Sequence, residues 1–432
     1  MILSPRKIAQ GFALSSWTLL VMAIALIIAL PILFVFSSVF TKSGAVWKHL
    51  ATTVLPSYIL NSCWLMLLVG IGVCLIGVGT AWLVTMCRFW GSTWLQWGLL
   101  LPLAAPAYLL AYTYTEMLDY FGPVQVALRN LFGWTGVEDY WFPEIRSLGG
   151  AAIMLLLVLY PYVYLLARVA FLEQSVCTME ASRSLGCNPW RSFFTVALPL
   201  ARPAIMAGVA LALMETLNDL GTVEYFGVNT FTTGIYRTWL GMGERSAAAQ
   251  LAAFLMIFVL ILIVLERRSR SAAQYYERSS SIKKIVPFQL NPGHSLGALI
   301  ACLLPVIFGF IIPGGYLLQL TLNNLDSSFD ADFRDLAQHS FTLASITAIA
   351  AMVISLLMAY GQRLEPNWLM KTAVRISAMG YAIPGSVIAV GVLIPVAGLD
   401  NLIDHWMRST FNISTGLLLS GTIFSLIFAY LV

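Results

Sequence analysis

Charge is scarce in this sequence. Only 10% of its 432 residues are Asp, Glu, Lys or Arg, against 59% that are apolar, and a soluble fold of this length could not bury so much hydrocarbon surface. A soluble globular protein is excluded. The dipeptide Gly-Lys is missing altogether, so the chain cannot carry the Gly-x-x-x-x-Gly-Lys-Ser/Thr loop that cradles nucleotide phosphates. It is not expected to hydrolyse ATP itself. Cysteine is limited to six positions: Cys63, Cys74 and Cys302 in apolar runs, and Cys87, Cys177 and Cys187 at their inner ends. None sits where oxidation would pair it, and no Cys-x-x-Cys or His/Cys spacing suggests zinc. Bases clustered for nucleic acid are also lacking, and the net charge of +4 speaks of membrane orientation. No run alternates in polarity as a membrane β-strand would.

What is present is a series of apolar runs of membrane length. They fall at roughly 17–40, 58–87, 94–118, 148–172, 201–217, 247–265, 295–320, 340–362, 372–397 and 415–432, which predicts an all-α polytopic membrane protein with about ten spans. The first run is too long for a signal-peptide core and lacks a small-x-small cleavage site, so it reads as a retained anchor. With Arg6 and Lys7 inside, the 24 Lys and Arg divide two to one in favour of the inner side, the bias that fixes a cytoplasmic N-terminus.

The two ends of the chain resemble each other. Leu30-Pro31-Ile32-Leu33-Phe34-Val35-Phe36 recurs as Leu304-Pro305-Val306-Ile307-Phe308-Gly309-Phe310, and Arg88, Trp94-Leu95 and Pro106-Ala107 are matched in order by Arg363, Trp368-Leu369 and Pro384-Gly385. Parallel repeats of this kind surround one central path in transporters. The expected organisation is a first repeat at 1–265, a linker at 266–294 carrying Arg267, Arg268, Arg270, Arg278, Lys283 and Lys284, and a second repeat at 295–432. The linker suits the anionic cytoplasmic membrane surface.

The polar segment 173–200 interrupts this apolar pattern. Glu180-Ala181-Ser182 is followed by Gly186 and then by Val196-Ala197-Leu198-Pro199. Gly186 can end one short helix in a left-handed conformation, and Leu198-Pro199 is expected to stop a second before the next span. A further polar stretch, Glu215 to Gly227, carries Glu215, Asn218, Asp219, Glu224 and Tyr225. Acids cost about 2.5 to 3.5 kcal/mol at mid-bilayer, so they are expected to face a cavity or a vestibule. Gly293-His294-Ser295-Leu296-Gly297 matches a hydrolase elbow only in letters, because it precedes a membrane helix and lacks a placed base.

The spacing Glu-Ala-Ser, three residues, Gly, nine residues, Val-Ala-Leu-Pro resembles the Glu-Ala-Ala loop of the membrane subunits of bacterial ATP-binding-cassette importers. Over essentially its whole length, and most strongly from 150 to 245, the chain is similar to the ferric-iron branch of that family, in its fused two-half form. The resemblance implies that Glu180, Ala181, Ser182, Gly186, Leu198 and Pro199 form a coupling element. It would dock on two copies of a cytoplasmic ATPase, which would hold ATP and Mg while this chain binds no cofactor. It also implies a periplasmic substrate-binding protein, a bacterial inner-membrane location, and transport of ferric iron by alternating access. Hard carboxylate and phenolate oxygens at Glu215, Asp219, Glu224 and Tyr225 would suit a transient ferric path without a fixed metal site. Thiamine, polyamine, phosphonate or sulfate permeases share the loop, and an ion-coupled secondary carrier is the reading from another class. The second repeat reaches only to Phe428-Ala429-Tyr430-Leu431-Val432, so a second Glu-Ala-Ala loop and two further spans are expected beyond it.

Overall fold

The computed structural model describes residues 15–41, 44–174, 180–182, 184–271, 287–325, 329–378, 380 and 383–432. Arg6, Lys7, Cys177, Arg278, Lys283 and Lys284 lie outside the described residues. Helices dominate. Those used below are α1 (Ser16–Ser38), α2 (Leu55–Met86), α3 (Ala107–Leu118), α4 (Leu148–Leu172), α5 (Leu198–Asn218), α6 (Arg245–Ser271), α7 (Pro292–Val306), α8 (Ile312–Asn323), α9 (Ala331–Leu364), α10 (Trp368–Ser377), α11 (Gly385–Phe411) and α12 (Ile423–Leu431). A two-residue parallel ladder joins β1 (Cys87–Arg88) to β2 (Phe288–Gln289).

Among the described residues, eight helices are long and apolar enough to cross a membrane, or nine if a bent pair is one span. The differences from the ten apolar runs have local causes. The run at 94–118 is bent by 88° between Ser92–Ala104 and Ala107–Phe132. Ala105 there is extended and precedes Pro106, a residue pair that disfavours helix. The run at 372–397 spans two elements, because α10 ends at Ser377 and α11 begins only after Pro384. The terminal run contributes the nine residues of α12. At 34 residues α9 is longest, about 51 Å at the helical rise and well beyond a hydrocarbon core of about 30 Å.

The chain divides into two compact units, one of Met1–Ser43, Thr238–Met256 and Asp326–Val432, the other of Gly44–Arg237 and Ile257–Leu325. Each unit draws on residues from both of the expected repeats. In the first, α1 packs on α10, α11 and α9, burying Val21 and Ala25 with Met358, Met370 and Ala373. Gly391 of α11 lies so close to the Pro31 carbonyl that a Cβ would stand 2.6 Å from it, so only glycine permits that crossing. The N-terminal end of α1 is tied to the end of α9, where Glu365 accepts hydrogen bonds from Ser15 Oγ and, at 2.7 Å, from Thr18 Oγ1.

In the second unit, α2, α4 and α5 form the centre, and α7 packs on α2. Gly77 of α2 and Gly208 of α5 approach Val163 of α4 from two sides, with built Cβ positions only 2.7 and 2.8 Å from its atoms. Small residues at such crossings let membrane helices gain van der Waals contact where no hydrophobic drive separates them from lipid. The interior contains Tyr160, Tyr164 and Phe171, all fully buried.

Two prolines in this unit share one backbone device. Phe193–Ala197 and Ile307–Ile311 are π turns, closed by bonds from Leu198 N–H to the Phe193 carbonyl and from Ile312 N–H to the Ile307 carbonyl. Pro199 and Pro313 follow immediately. A proline lacks the N–H and crowds the preceding turn, and a widened turn relieves that crowding without ending the helix.

Candidate functional site

Two polar segments of the second unit hold the residues singled out by sequence. In the first, residues 180–182 and 184 are helical, and Leu185 and Cys187 N–H groups bond back to Ala181 and Ser182 at 3.0 and 3.1 Å. Gly186 follows with φ +77°, the left-handed conformation expected of it. Asn188 Oδ1 then accepts from Arg191 N–H at 2.8 Å and starts the next helical turn, Pro189–Ser192. Residues 175–179 and 183 of this loop lie outside the described residues.

The second helical piece does not stop at Leu198-Pro199. It runs through the π turn into α5, giving one helix from Trp190 to Asn218. Pro199 directly follows the π turn, whose wider backbone accommodates a residue without an N–H, so the segment is continuous with a span and rigidly attached to it.

What fixes the segment to the unit was not visible in sequence. Phe193 is wedged beside Trp82 of α2 and Phe171 of α4 at ring separations of 5.0 and 6.4 Å, and Trp82 also meets Phe288 of β2 at 6.4 Å. Gln174 Nε2 donates to the Ala197 carbonyl at 2.8 Å. Ser182, which stands where the family pattern has alanine, is buried, and its hydroxyl meets that of buried Ser192 at 3.1 Å. The outward side is different. Glu180, Ala181 and Gly186 are exposed, together with Leu185 (83%), Trp190 and Phe194. Exposed apolar side chains around a carboxylate form a surface suited to a protein partner.

The second segment follows α5. Asp219 turns its carboxylate onto the next helical turn, Gly221–Tyr225, accepting from Val223 N–H and Thr222 Oγ1, each at 3.1 Å. Burial raises its carboxyl above the ordinary value, and the neighbouring charge of Glu215 adds to that, against the lowering effect of these hydrogen bonds. Thr232 Oγ1 donates to the Asp219 carbonyl at 2.8 Å. Glu224 is exposed and paired with Arg237 at 3.3 Å. Arg237 also donates to Asn229 Oδ1 at 2.5 Å, whose backbone carbonyl accepts from Asn61 at 2.9 Å. Tyr225 lies between Tyr112, 6.2 Å away, and the Arg146 guanidinium, 5.4 Å from its ring centre.

Of the acids expected along a path, Asp219 is thus used as a cap and Glu224 is compensated, while Glu215 is half-buried one turn before Asp219 and Asn218 is exposed at the helix end. Among the described residues, no group of three or more His, Cys, Asp and Glu could hold a metal ion. Arg237, Arg146 and Asn229 were missed by sequence reasoning, since their partners lie 8 to 13 or more residues away with no periodic pattern.

Residues 74–268, which contain both segments, match the sequence profile of the family described as binding-protein-dependent transport system inner membrane component. Over 207 residues the chain is 30% identical to the molybdenum transport system permease protein ModB of Escherichia coli (strain K12), covering 46% of this chain and 87% of that protein. It is 24% identical over 387 residues to the Fe(3+)-transport system permease protein FbpB 2 of Haemophilus influenzae, covering 87% of this chain and 71% of the relative. With the sulfate transport system permease protein CysT of Escherichia coli (strain K12) the identity is 27% over 236 residues, 52% and 78% of the two chains. The chain belongs to the binding-protein-dependent inner-membrane component family: it is a multi-pass permease of an ATP-binding-cassette importer, with a transport role.

Proposed function

We propose that this permease carries ferric iron from a periplasmic binding protein to the cytoplasm, driven by a separate ATPase. One observation carries the cargo: the ferric relative aligns over 87% of the chain, whereas the molybdenum relative aligns over 46%. The half-buried carboxylates of Glu215 and Asp219 favour a hard cation over an oxyanion on charge alone.

In this reading the N-terminus and the 180–199 elbow are cytoplasmic, and the turn from Asp219 to Arg237 lies at the opposite face. The ATPase docks on Glu180, Ala181, Leu185 and Trp190. Because the elbow continues into α5 without a break, movement of the docked ATPase is delivered to the helix that carries Glu215 in its last turn, and the path reorients. Weak, scattered oxygen ligands allow release.

The test is uptake of radioactive iron into proteoliposomes containing the permease, its ATPase and an iron-loaded binding protein. Uptake should require ATP and weaken at least fivefold in Glu215→Ala. Equal uptake by that variant would remove Glu215 from the path, and uptake without the ATPase would indicate an ion-coupled carrier. A second cargo reading follows from the 30% identity with the molybdenum permease; ATP-dependent uptake of molybdate or sulfate in place of iron would establish it.

A further inference from the structure

A groove of about 430 Å³ runs along the second unit between α2, α4 and the α7–α8 rod, within the roughly 300–1,000 Å³ typical of small-ligand sites. Its walls include Leu75, Gly79, Thr80, Leu157, Leu304 and Phe308. All three walls are membrane-spanning, and Leu75, Leu304 and Phe308 at the rim are exposed, so the groove opens toward hydrocarbon.

The wall is almost wholly apolar and offers little to water or to a polar solute. Thr80 supplies its hydroxyl group, and that hydroxyl is spent on the Ile76 carbonyl at 2.6 Å. A bound water needs two to four polar partners. The space is real at its centre, because a Cβ built on Gly79 meets no atom within 4 Å, unlike Gly77 half a turn earlier.

One cation marks the near end. Arg88 follows α2 directly, is exposed, and is paired through the β1–β2 ladder opposite Gln289, three residues before α7 begins. Two of the helices that wall the groove, α2 and α7, therefore share one membrane end, with a guanidinium on it. No ion pair to Arg88 is present among the described residues. From Arg88 the groove begins about five residues, or about 8 Å, into the bilayer and ends about 20 Å in, a depth that the chain of a lipid in that leaflet can fill.

We infer that this groove is a binding site for one acyl chain of an anionic phospholipid whose phosphate is held by Arg88. The lipid fills the space between α2 and α7, where protein contact is incomplete. Guanidinium is the preferred partner of a phosphate, by forked hydrogen bonds, and one basic residue at a membrane surface favours an anionic over a neutral headgroup about fivefold.

The experiment uses the full chain in nanodiscs of phosphatidylcholine doped with a phosphatidylglycerol bearing a photoreactive diazirine in its acyl chain, or with the matching phosphatidylcholine probe. Adducts are mapped by mass spectrometry after irradiation. Phosphatidylglycerol adducts should concentrate on the peptides around Leu75 and Leu304. Gly79→Phe, which fills the groove, should reduce those adducts at least fivefold while sparing others. Arg88→Gln should bring the phosphatidylglycerol signal down to that of phosphatidylcholine, and this variant leaves the apolar walls intact should Gly79→Phe fail to fold. Equal adducts in Gly79→Phe, equal labelling by the two lipids in the wild-type protein, or cross-links between the grooves of two copies would each overturn the site.

Discussion

The Tyr114 hydroxyl donates a hydrogen bond of 2.6 Å to the carbonyl of Phe308, 194 residues away. The π turn explains why that carbonyl is available. Its ordinary partner, Ile312 N–H, is drawn to Ile307, and the next residue is Pro313, which has no N–H. The tyrosine of α3 supplies the missing donor.

Tyr114→Phe should therefore destabilise the protein by about 1–2 kcal/mol, the upper end for membrane hydrogen bonds, because it leaves a carbonyl unpaired in the interior. Pro313→Ala restores a backbone donor, so the tyrosine substitution should cost less in that background. Unfolding in mixed micelles with increasing dodecyl sulfate measures both. Additive losses would show that the hydroxyl does not serve the carbonyl.

At Gly186 conformation and packing can be separated. Nothing lies within 4 Å of a built Cβ, yet φ is +77°, and L-residues lose about 1–2 kcal/mol in that region. Transport should fall in the order Gly, Asn, Ala, Val at this position, since Asn tolerates the left-handed state and a β-branched residue does not. Amounts in the membrane should be unchanged. Wild-type uptake by Gly186→Val would remove the left-handed turn from the coupling element.

The buried hydroxyls of Ser182 and Ser192 form a closed pair. Ser182→Ala alone should cost about 1 kcal/mol by leaving Ser192 without a partner, and the double alanine variant should recover most of it. A double-mutant cycle on thermal unfolding reads the coupling; a value near zero would mean that the hydroxyls are independent.

The tie between Glu365 and α1 should titrate. Hydrogen bonds from Ser15 and then Thr18 hold the Glu365 carboxyl below its ordinary value of 4.5. A depressed acid contributes stability that is complete above the unfolded value and is lost as pH falls through the folded one. The gap in Tm between wild type and Glu365→Gln should be constant from neutral pH down to about 4.5 and close at lower pH. A gap independent of pH down to 3 would contradict this.

Much of this architecture could be read from hydropathy, because a span needs only length and apolarity. The runs at 17–40, 148–172 and 247–265 match α1, α4 and the apolar part of α6 closely. The failures sit where tertiary contacts overrule the pattern. No sequence rule anticipates that α11 continues through Asp400, Asp404 and Arg408. The structure permits it because Leu419 and Ser420 N–H groups satisfy Asp400 at 2.7–3.2 Å, while Thr415 and Gly416 N–H groups satisfy Asp404 at 2.8 and 3.1 Å. Those same bonds hold 414–420 in irregular, non-helical backbone, which shortens the last helix to α12. At the elbow, Glu180 and Gly186 were legible from spacing. The aromatic seat of Phe193 was not, since Trp82, Phe171 and Phe288 are brought together from three distant places.

The packing of α1 against α10 and α11 sets a timetable for biosynthesis. Roughly 370 residues separate the end of α1 from the end of α11, so at 5–20 residues per second the first helix waits about 20 to 75 s before this packing can be completed. α1 is suited to the wait: it is the most apolar of the eight candidate spans, and it contains no charged side chain.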